Sequence, residues 1–379
     1  MNNPVINLAV PGVRGLEPYR PGKPIEELER EYGVTNAIKL ASNENPLGPS
    51  PRAIAAARAV LPDIHRYPDG NGFGLKQALS QKLGVTPECI TLGNGSNDIL
   101  ELLARAFVQS ENEVVFSEHA FAVYPIVTGA VGAKPVITKT KRWGHDLAAM
   151  QAAVNSRTRL VFIANPNNPT GTWTRKDELD SFLRAMPTHV LILVDEAYFE
   201  YVNEPDYPNT VAWRDRFPNL VTARTFSKIY GLAGLRVGYG VSSPEVAEIL
   251  NRVRQPFNVN SVALAAATAA LEDDAHVARA ADLNRQGMLQ LTQAFQTLGL
   301  EFIPSAGNFV CVDVGKPTAP VYEQLLRAGI IVRPVASYGM PNHLRVTVGL
   351  PEENARFIEA LKKVSGFKSH VSGEKQSGT

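Results

Sequence analysis

The sequence has few cysteines and no long apolar run. Its two cysteines, Cys89 and Cys311, lie far apart without a neighbouring Cys or His at metal-ligand spacing, which argues against a disulfide framework and a zinc site. The longest apolar run, 262–271, is about half of the roughly 20 residues that a membrane span requires. We therefore expect two buried, unpaired cysteines, no bound metal and no membrane partner.

An excess of one charge is also missing. The 38 Lys and Arg residues against 37 Asp and Glu give a formal net charge of +1, so no broad field exists to attract nucleic acid or an anionic membrane. The expected partners are small molecules or another subunit. The first seven residues lack a basic region followed by an apolar run. They do not resemble a signal peptide, and a cytoplasmic location is expected.

Short apolar runs alternate with longer amphipathic ones from Cys89 onward. This alternation is typical of an α/β domain with a largely parallel sheet, whose strands are covered on both faces. Strands are predicted at 90–92, 114–116, 160–164, 190–194, 220–223 and 237–241, with helices at 99–108 and 262–271. Isolated strands at 309–314 and 344–348 then indicate a second, smaller α+β domain.

The chain is predicted to divide into four parts. Residues 1–50 are rich in Pro, Gly and Asn with little periodicity, which suggests an extended arm that forms part of the small domain. The large domain is placed at 51–268, where Ser50 caps a first helix with Pro51 in its first turn. The small domain is placed at 269–366, and a disordered tail at 367–379.

Polar residues directly after the apolar runs are the candidate site, because ligands bind at the carboxyl ends of parallel strands. Asp195 and Tyr198 follow the run at 190–194. An unpaired carboxylate at the edge of a buried sheet is costly, so a cation is expected beside it, either from a ligand or from a structural salt bridge. Asn168 lies between Pro166 and Pro169, which would fix its backbone, although most such segments are only turns.

A glycine loop lies between a predicted strand and the helix that follows it, at 93–98. Free backbone amides and a positive helix end suit a phosphate group, which places Ser96 and Asn97 at an anion site. The third glycine of the dinucleotide fingerprint is missing, and no P-loop lysine follows. A dehydrogenase is therefore excluded, while a single phosphate group is still accommodated.

Lys228 follows the strand at 220–223, with a hydroxyl residue before it and glycines after it. Most lysines in loops are simply solvated charges. Here Ser227 precedes the lysine, and Arg236 is suited to bidentate phosphate binding. A lysine that is partly desolvated and lies beside other cations has a lowered pKa, which a nucleophilic amine requires.

The residues of these motifs and their order along the chain resemble those of the fold-type I enzymes that use pyridoxal 5'-phosphate (PLP), over nearly the whole chain. Within them the sequence is similar to the histidinol-phosphate aminotransferase family, with further support from segments 19–23, 42–51 and 66–69. The resemblance implies an α/β fold with a mostly parallel mixed sheet and a smaller α+β C-terminal domain. It also implies PLP as cofactor, a homodimer, and amino transfer between glutamate and imidazole acetol phosphate in histidine biosynthesis.

The resemblance also implies roles for single residues. Lys228 would carry PLP and move the proton, and Asp195 would bind the pyridine nitrogen, with Tyr198 the third catalytic residue. The other cofactor contacts implied are Asn168 and Tyr198 at the ring hydroxyl oxygen, Phe121 against the ring face, and Ser96, Asn97, Ser227, Arg236 and Tyr67 at the phosphate, Tyr67 reaching across from the other subunit. The substrate residues implied are Tyr19, Asn45, Arg333 and Arg345, since a planar guanidinium matches both phosphate and carboxylate.

Other activities share this pattern. An aromatic amino-acid aminotransferase or a decarboxylase of an amino-acid phosphate would keep Lys228 and Asp195, so these residues do not separate the activities. A PLP-binding transcription regulator would need an additional DNA-binding domain, and no basic helix-turn-helix pattern is present.

Overall fold

The computed structural model describes residues 5–19 and 21–365. Its helices are α1 (Pro11–Arg14), α2 (Ile25–Tyr32), α3 (Pro51–Val60), α4 (Phe73–Leu83), α5 (Ser96–Phe107), α6 (Val123–Ala130), α7 (Leu147–Ala153), α8 (Lys176–Ala185), α9 (Pro244–Val253), α10 (Ser261–Leu271), α11 (Asp274–Thr297), α12 (Thr318–Arg327) and α13 (Pro351–Ser365). Its strands are β1 (Ile38–Lys39), β2 (Ile90–Gly93), β3 (Glu113–Ser117), β4 (Lys134–Thr138), β5 (Thr140–Lys141), β6 (Gly144–His145), β7 (Thr158–Ala164), β8 (Leu191–Asp195), β9 (Leu220–Thr225), β10 (Gly238–Val241), β11 (Phe302–Ile303), β12 (Phe309–Asp313), β13 (Ile330–Ile331), β14 (Arg333–Pro334) and β15 (His343–Thr347). Across these ranges, none of the helices combines the length and the apolar character needed to cross a membrane.

Seven strands form the main sheet, in the order β2-β10-β9-β8-β7-β3-β4. All neighbouring pairs are parallel except those of β10, which runs antiparallel to both β2 and β9. Strands β2, β3, β8, β9 and β10 are buried along their whole length. The apolar runs within these strands fit this burial, since strands covered on both faces carry apolar residues on both. Glu113 of β3 and Arg224 of β9 are charged exceptions that are buried as well.

A four-stranded antiparallel sheet follows later in the chain, in the order β11-β12-β15-β14. Its core contains Phe295 of α11 and Phe357 of α13, both fully buried. The short strand β1 pairs in parallel with β13, so the N-terminal segment joins this later part of the chain. The two larger sheets fall on either side of residue 268. The domain limits themselves stay a prediction.

Most predicted elements are confirmed. Ser50 caps α3 by accepting a hydrogen bond from the Ala53 amide at 3.1 Å, and Cys89 and Cys311 are buried and unpaired. The prediction that the arm at 1–50 is extended was wrong for residues Ile25–Tyr32, which form α2 and bury Leu28. Strand β4 was missed because most of its side chains are exposed. The predicted tail at 367–379 lies outside the described residues.

Candidate active site

A cavity of about 430 Å³ opens at the carboxyl edge of the main sheet. Strands β8 and β9 end there at Asp195 and Thr225, and β15 of the second sheet adds Arg345. The predicted residues that line the cavity are Tyr19, Ser96, Asn97, Phe121, Asn168, Asp195, Tyr198, Ser227, Lys228, Arg236 and Arg345. The fold thus gathers residues from positions 19 to 345 around one space.

Asp195 lies at the last position of β8 and is buried. Its carboxylate accepts hydrogen bonds from the Tyr124 hydroxyl at 3.2 Å and from the Ala197 amide at 3.2 Å. Burial raises the pKa of Asp195 to about 6, against the effect of these two donors. A carboxylate in this environment is stabilised by a cationic partner, as a protonated ring nitrogen would be.

Lys228 follows β9 and points its amine into the cavity, where Nζ donates to the Ser42 carbonyl oxygen at 3.0 Å. The amine also lies 5.7 Å from the centre of the Tyr198 ring. Burial lowers the pKa of Lys228 to about 8, with a further contribution from the positive charge of Arg345. A neutral amine is therefore accessible near neutral pH, as a nucleophile and a proton carrier require.

A candidate phosphate cradle lies at the start of α5, where Ser96 is the first helical residue. Arg236 donates from Nη1 to Ser227 Oγ at 3.1 Å and from Nη2 to Asn94 O at 3.4 Å. A Cβ on Gly95 would lie 2.3 Å from Arg236 Nη2, and Gly95 has a left-handed φ of 83°. Glycine therefore allows the guanidinium to approach the positive helix end, and both converge where a phosphate group fits.

Arg345 spans the cavity between the two sheets. Its Nη1 donates to Asn168 Oδ1 at 2.5 Å and its Nη2 donates to Ala41 O at 2.5 Å. Because the Asn168 oxygen accepts from the arginine, its amide nitrogen is left to donate elsewhere. The Arg345 Nε is buried and finds no hydrogen-bond partner among the described residues.

Three predicted residues do not line this cavity. Tyr67 is 82% exposed and stacks on Phe257, with ring centres 4.6 Å apart. Asn45 is buried, and its amide donates to the Ile229 carbonyl oxygen at 2.7 Å. Arg333 lies beside Tyr19, 5.6 Å from the centre of its ring, and lines a neighbouring cavity that shares Tyr19 with the first.

Two residues of the site were not singled out from the sequence. Tyr124 of α6 is fully buried, donates to Asp195 and stacks on Phe162 at 4.6 Å. Asn43 lines the cavity and donates from Nδ2 to the Tyr198 hydroxyl at 2.9 Å. A buried tyrosine usually needs a hydrogen-bond partner, which is the general signal for Tyr124. Asn43 lies in the segment 42–51 that supports the family resemblance, but its role was not evident there, because its partners lie more than a hundred positions away.

This combination of sheet, buried carboxylate and activated lysine is that of a PLP-dependent aminotransferase of fold type I. The chain belongs to the family described as aminotransferase class I and II, whose family model matches residues 35–361.

Within this family the chain is similar to histidinol-phosphate aminotransferases. It is 63% identical over 357 residues to histidinol-phosphate aminotransferase 1 of Nitrosococcus oceani, covering 94% of this chain and 96% of that protein. Histidinol-phosphate aminotransferase 2 of Pseudomonas fluorescens is 60% identical over 366 residues, covering 96% and 99%. The crystal structure of histidinol-phosphate aminotransferase from Sinorhizobium meliloti in complex with pyridoxal-5'-phosphate superposes with a TM-score of 0.87, at 31% identity over 94% of this chain and 97% of that one. The predicted family, fold class and enzyme class are confirmed.

The donor set of the cavity fits PLP. The buried carboxylate of Asp195 suits the pyridine nitrogen, and the cradle around Arg236 suits the phosphate group. Phe121 lies on the cavity wall with its ring 5.9 Å from that of Tyr124, in edge contact. Its apolar face is available to cover a flat heteroaromatic ring.

Proposed function

We propose that this protein transfers the amino group of glutamate to imidazole acetol phosphate, giving 2-oxoglutarate and histidinol phosphate in histidine biosynthesis. The observation that carries the proposal is the single cavity in which Lys228, Asp195 and Arg345 meet. The names of the relatives at 63% and 60% identity support this choice of substrate over aromatic amino acids. Because those matches span nearly the whole chain, they include both the cofactor and the substrate side of the cavity.

The cofactor supplies an electron-accepting ring, which makes a hydrogen on the carbon next to the amine easier to remove. Asp195 would hold the protonated pyridine nitrogen, since its buried carboxylate is stabilised by a positive partner. Tyr198 and Asn168 would donate to the ring hydroxyl oxygen. Ser96, Asn97, Ser227 and Arg236 would bind the phosphate, and Phe121 would cover the ring.

Lys228 would act as the proton carrier. With its pKa near 8, its Nζ can take a proton from the donor carbon and return one to the neighbouring cofactor carbon. Its amine donates a hydrogen bond to the Ser42 carbonyl oxygen, which would hold the amine in place between these transfers.

Arg345 and Arg333 would bind the acidic end of either substrate, the phosphate of histidinol phosphate and a carboxylate of glutamate. The position of Arg345 on the cavity wall supports this role. Tyr19 lies beside Arg333 and borders both cavities, which places its ring next to the proposed substrate site. Asn45 would act by holding the adjacent segment, because its amide bonds the Ile229 carbonyl oxygen.

The proposal is tested by half-reactions of the PLP-loaded enzyme with histidinol phosphate, glutamate and phenylalanine, followed by the visible absorbance of the cofactor. Rapid conversion by the first two and slow conversion by phenylalanine is expected. Fast reaction with phenylalanine and none with histidinol phosphate would instead establish an aromatic aminotransferase. The Lys228→Ala variant serves as the control, and conversion at the unaltered rate in it would refute the assignment of the lysine.

A homodimer with Tyr67 shared between subunits is part of the same proposal. Exposed apolar side chains cluster around this residue in the sequence and at Phe257: Leu61 is 49% exposed, Ile64 62%, Phe73 62% and Phe257 45%. Such an apolar surface is typical of a subunit interface. Tyr67 does not reach the cavity of its own chain, which leaves a second copy to receive it.

Mixing two impaired variants tests the shared site. In a mixed dimer of Lys228→Ala and Tyr67→Ala, one site would combine the intact lysine of one chain with the intact tyrosine of the other. Activity should therefore rise after the subunits exchange. If Tyr67 serves its own chain, mixing will restore nothing, and a monomer in analytical ultracentrifugation would contradict the dimer itself.

We also propose a cytoplasmic location, which is supported by the two free, buried cysteines in the described part of the chain. Fractionation of cells that produce the protein tests this, and its recovery with periplasmic markers would contradict it.

A further inference from the structure

The segment before α3 contains an asparagine with an unusual set of contacts. Asn43 is 1% exposed and has a left-handed φ of 56°, which asparagine tolerates better than most residues. Its backbone N–H donates to Thr347 Oγ1 at 3.0 Å. Its backbone carbonyl oxygen accepts from Asn308 Nδ2 at 3.0 Å. Both partners belong to the part of the chain that builds the second sheet.

The side-chain amide of Asn43 connects this sheet to Tyr198. Thr347 Oγ1 donates to Asn43 Oδ1 at 3.0 Å, and Asn43 Nδ2 donates to the Tyr198 hydroxyl at 2.9 Å. Thr347 Oγ1 already accepts from the Asn43 backbone, so its own proton is free to satisfy the amide oxygen. That contact turns the amide nitrogen toward the tyrosine.

The direction of these bonds determines what Tyr198 can do. A phenol has one proton, and here its oxygen accepts from Asn43 rather than donating to it. The proton is therefore available to another acceptor inside the cavity. A phenol that accepts one hydrogen bond also becomes a stronger donor of the next, because the bonds in such a chain polarise each other.

We propose that Asn43 is a positioning residue that, held by Thr347, directs the Tyr198 proton toward the ring hydroxyl oxygen of the cofactor. Thr347 and Arg345 lie two residues apart on β15, and their side chains therefore share one face of that strand. The strand that brings the substrate arginine to the cavity thus also orients the tyrosine. This inference rests on the proposed function only through PLP binding.

The test is the pKa of the Lys228-linked cofactor, read from its visible absorbance as the pH is varied. A hydrogen bond from Tyr198 stabilises the form in which the ring oxygen is negative, so its loss favours the protonated form and raises this pKa. Asn43→Gly is the variant of choice, since glycine accepts the left-handed backbone without strain. The expected rise is about half a pH unit to one unit.

A double-mutant cycle with Tyr198→Phe shows whether Asn43 acts through the tyrosine. In the Tyr198→Phe background, Asn43→Gly should cause no further shift. Asn308→Ala is the matched control, because Asn308 holds the same segment through a backbone oxygen and leaves the Asn43 amide in place. It should leave the pKa unchanged. The dissociation constant of PLP, measured by equilibrium dialysis, should change little in Asn43→Gly because the phosphate cradle is untouched.

Each contrary result is informative. No shift in Asn43→Gly, an equal shift in the Tyr198→Phe background, or an equal shift in Asn308→Ala would overturn the inference. A wild-type protein that shows no visible cofactor band after PLP addition would instead refute the proposed function, so the two failures are distinguishable.

Discussion

Replacing Arg224 with methionine should destabilise the protein strongly. Arg224 lies in β9 with its side chain 4% exposed, and the Glu196 side chain opposite is fully buried. Its Nε and Nη2 donate to Glu196 Oε2 at 2.9 and 2.7 Å. Glu196 Oε1 accepts from the Thr210 amide and hydroxyl at 3.0 and 2.7 Å. The guanidinium also lies 3.5 Å from the centre of the Phe199 ring.

The expected loss follows from the charge that the variant leaves behind. Breaking a buried, hydrogen-bonded ion pair costs about 3–5 kcal/mol, because the remaining carboxylate is neither hydrated nor paired. For a chain of 379 residues the entropy of unfolding is about 0.8 kcal/mol per degree, so the melting temperature should fall by about 4–6 °C. Glu196 directly follows Asp195, so the affinity for PLP should fall as well.

Thermal unfolding of Arg224→Met followed by circular dichroism measures this loss. Arg252→Met is the matched control, since Arg252 is 67% exposed in its pair with Glu248, and such pairs contribute less than about 1 kcal/mol. Adding Glu196→Gln to Arg224→Met should restore part of the stability, because the buried charge is removed while the acceptor for Thr210 stays. A melting temperature within 1 °C or so of the wild type in Arg224→Met would refute the reasoning.

Three further predictions concern the cavity. Arg345→Met removes a positive charge that lowers the pKa of Lys228, so this pKa should rise above about 8. The pH profile of the rate at which the apoenzyme binds PLP should then shift to higher pH, and an unshifted profile would contradict this electrostatic contribution. Asp195→Asn should still bind PLP but slow amino transfer by about 100-fold or more in a single-turnover assay, because the ring nitrogen loses its charged partner; a wild-type rate would show that the carboxylate is not needed. Arg236→Ala should weaken PLP binding by about 10- to 100-fold in equilibrium dialysis, since hydrogen bonds to charged groups contribute about 1.5–3 kcal/mol; unchanged binding would place the phosphate elsewhere.

Predictions from the sequence succeeded where local pattern and burial coincide. The apolar run before Asp195 is a strand buried along its whole length, and the carboxylate therefore lies at the sheet edge as expected. Lys228 follows its strand in the same way. Strands β10 and β4 show what local pattern cannot predict. An apolar run does not reveal whether β10 is parallel or antiparallel to its neighbours, and β4 has mostly exposed side chains.

Contacts between distant segments could not be predicted from local pattern. Tyr124 reaches Asp195 from a helix 71 positions earlier in the chain. Arg224 is the one charged residue of β9, a strand buried along its whole length, and a charge at such a position is a signal that could have indicated a buried ion pair. The exposure of Tyr67 is informative only in the folded chain, where its ring stacks on Phe257 at the surface.

The long sequence separations across the cavity have a consequence for protein synthesis. Lys228 donates a hydrogen bond to the Ser42 carbonyl oxygen 186 positions away, and Thr347 donates one to Asn43 across 304 positions. A nascent chain still attached to the ribosome therefore lacks one wall of the cavity until β15 has left the exit tunnel. The first strands of the main sheet must form without the support of a complete cofactor site, and the complete cavity can bind PLP only after β15 has left the tunnel.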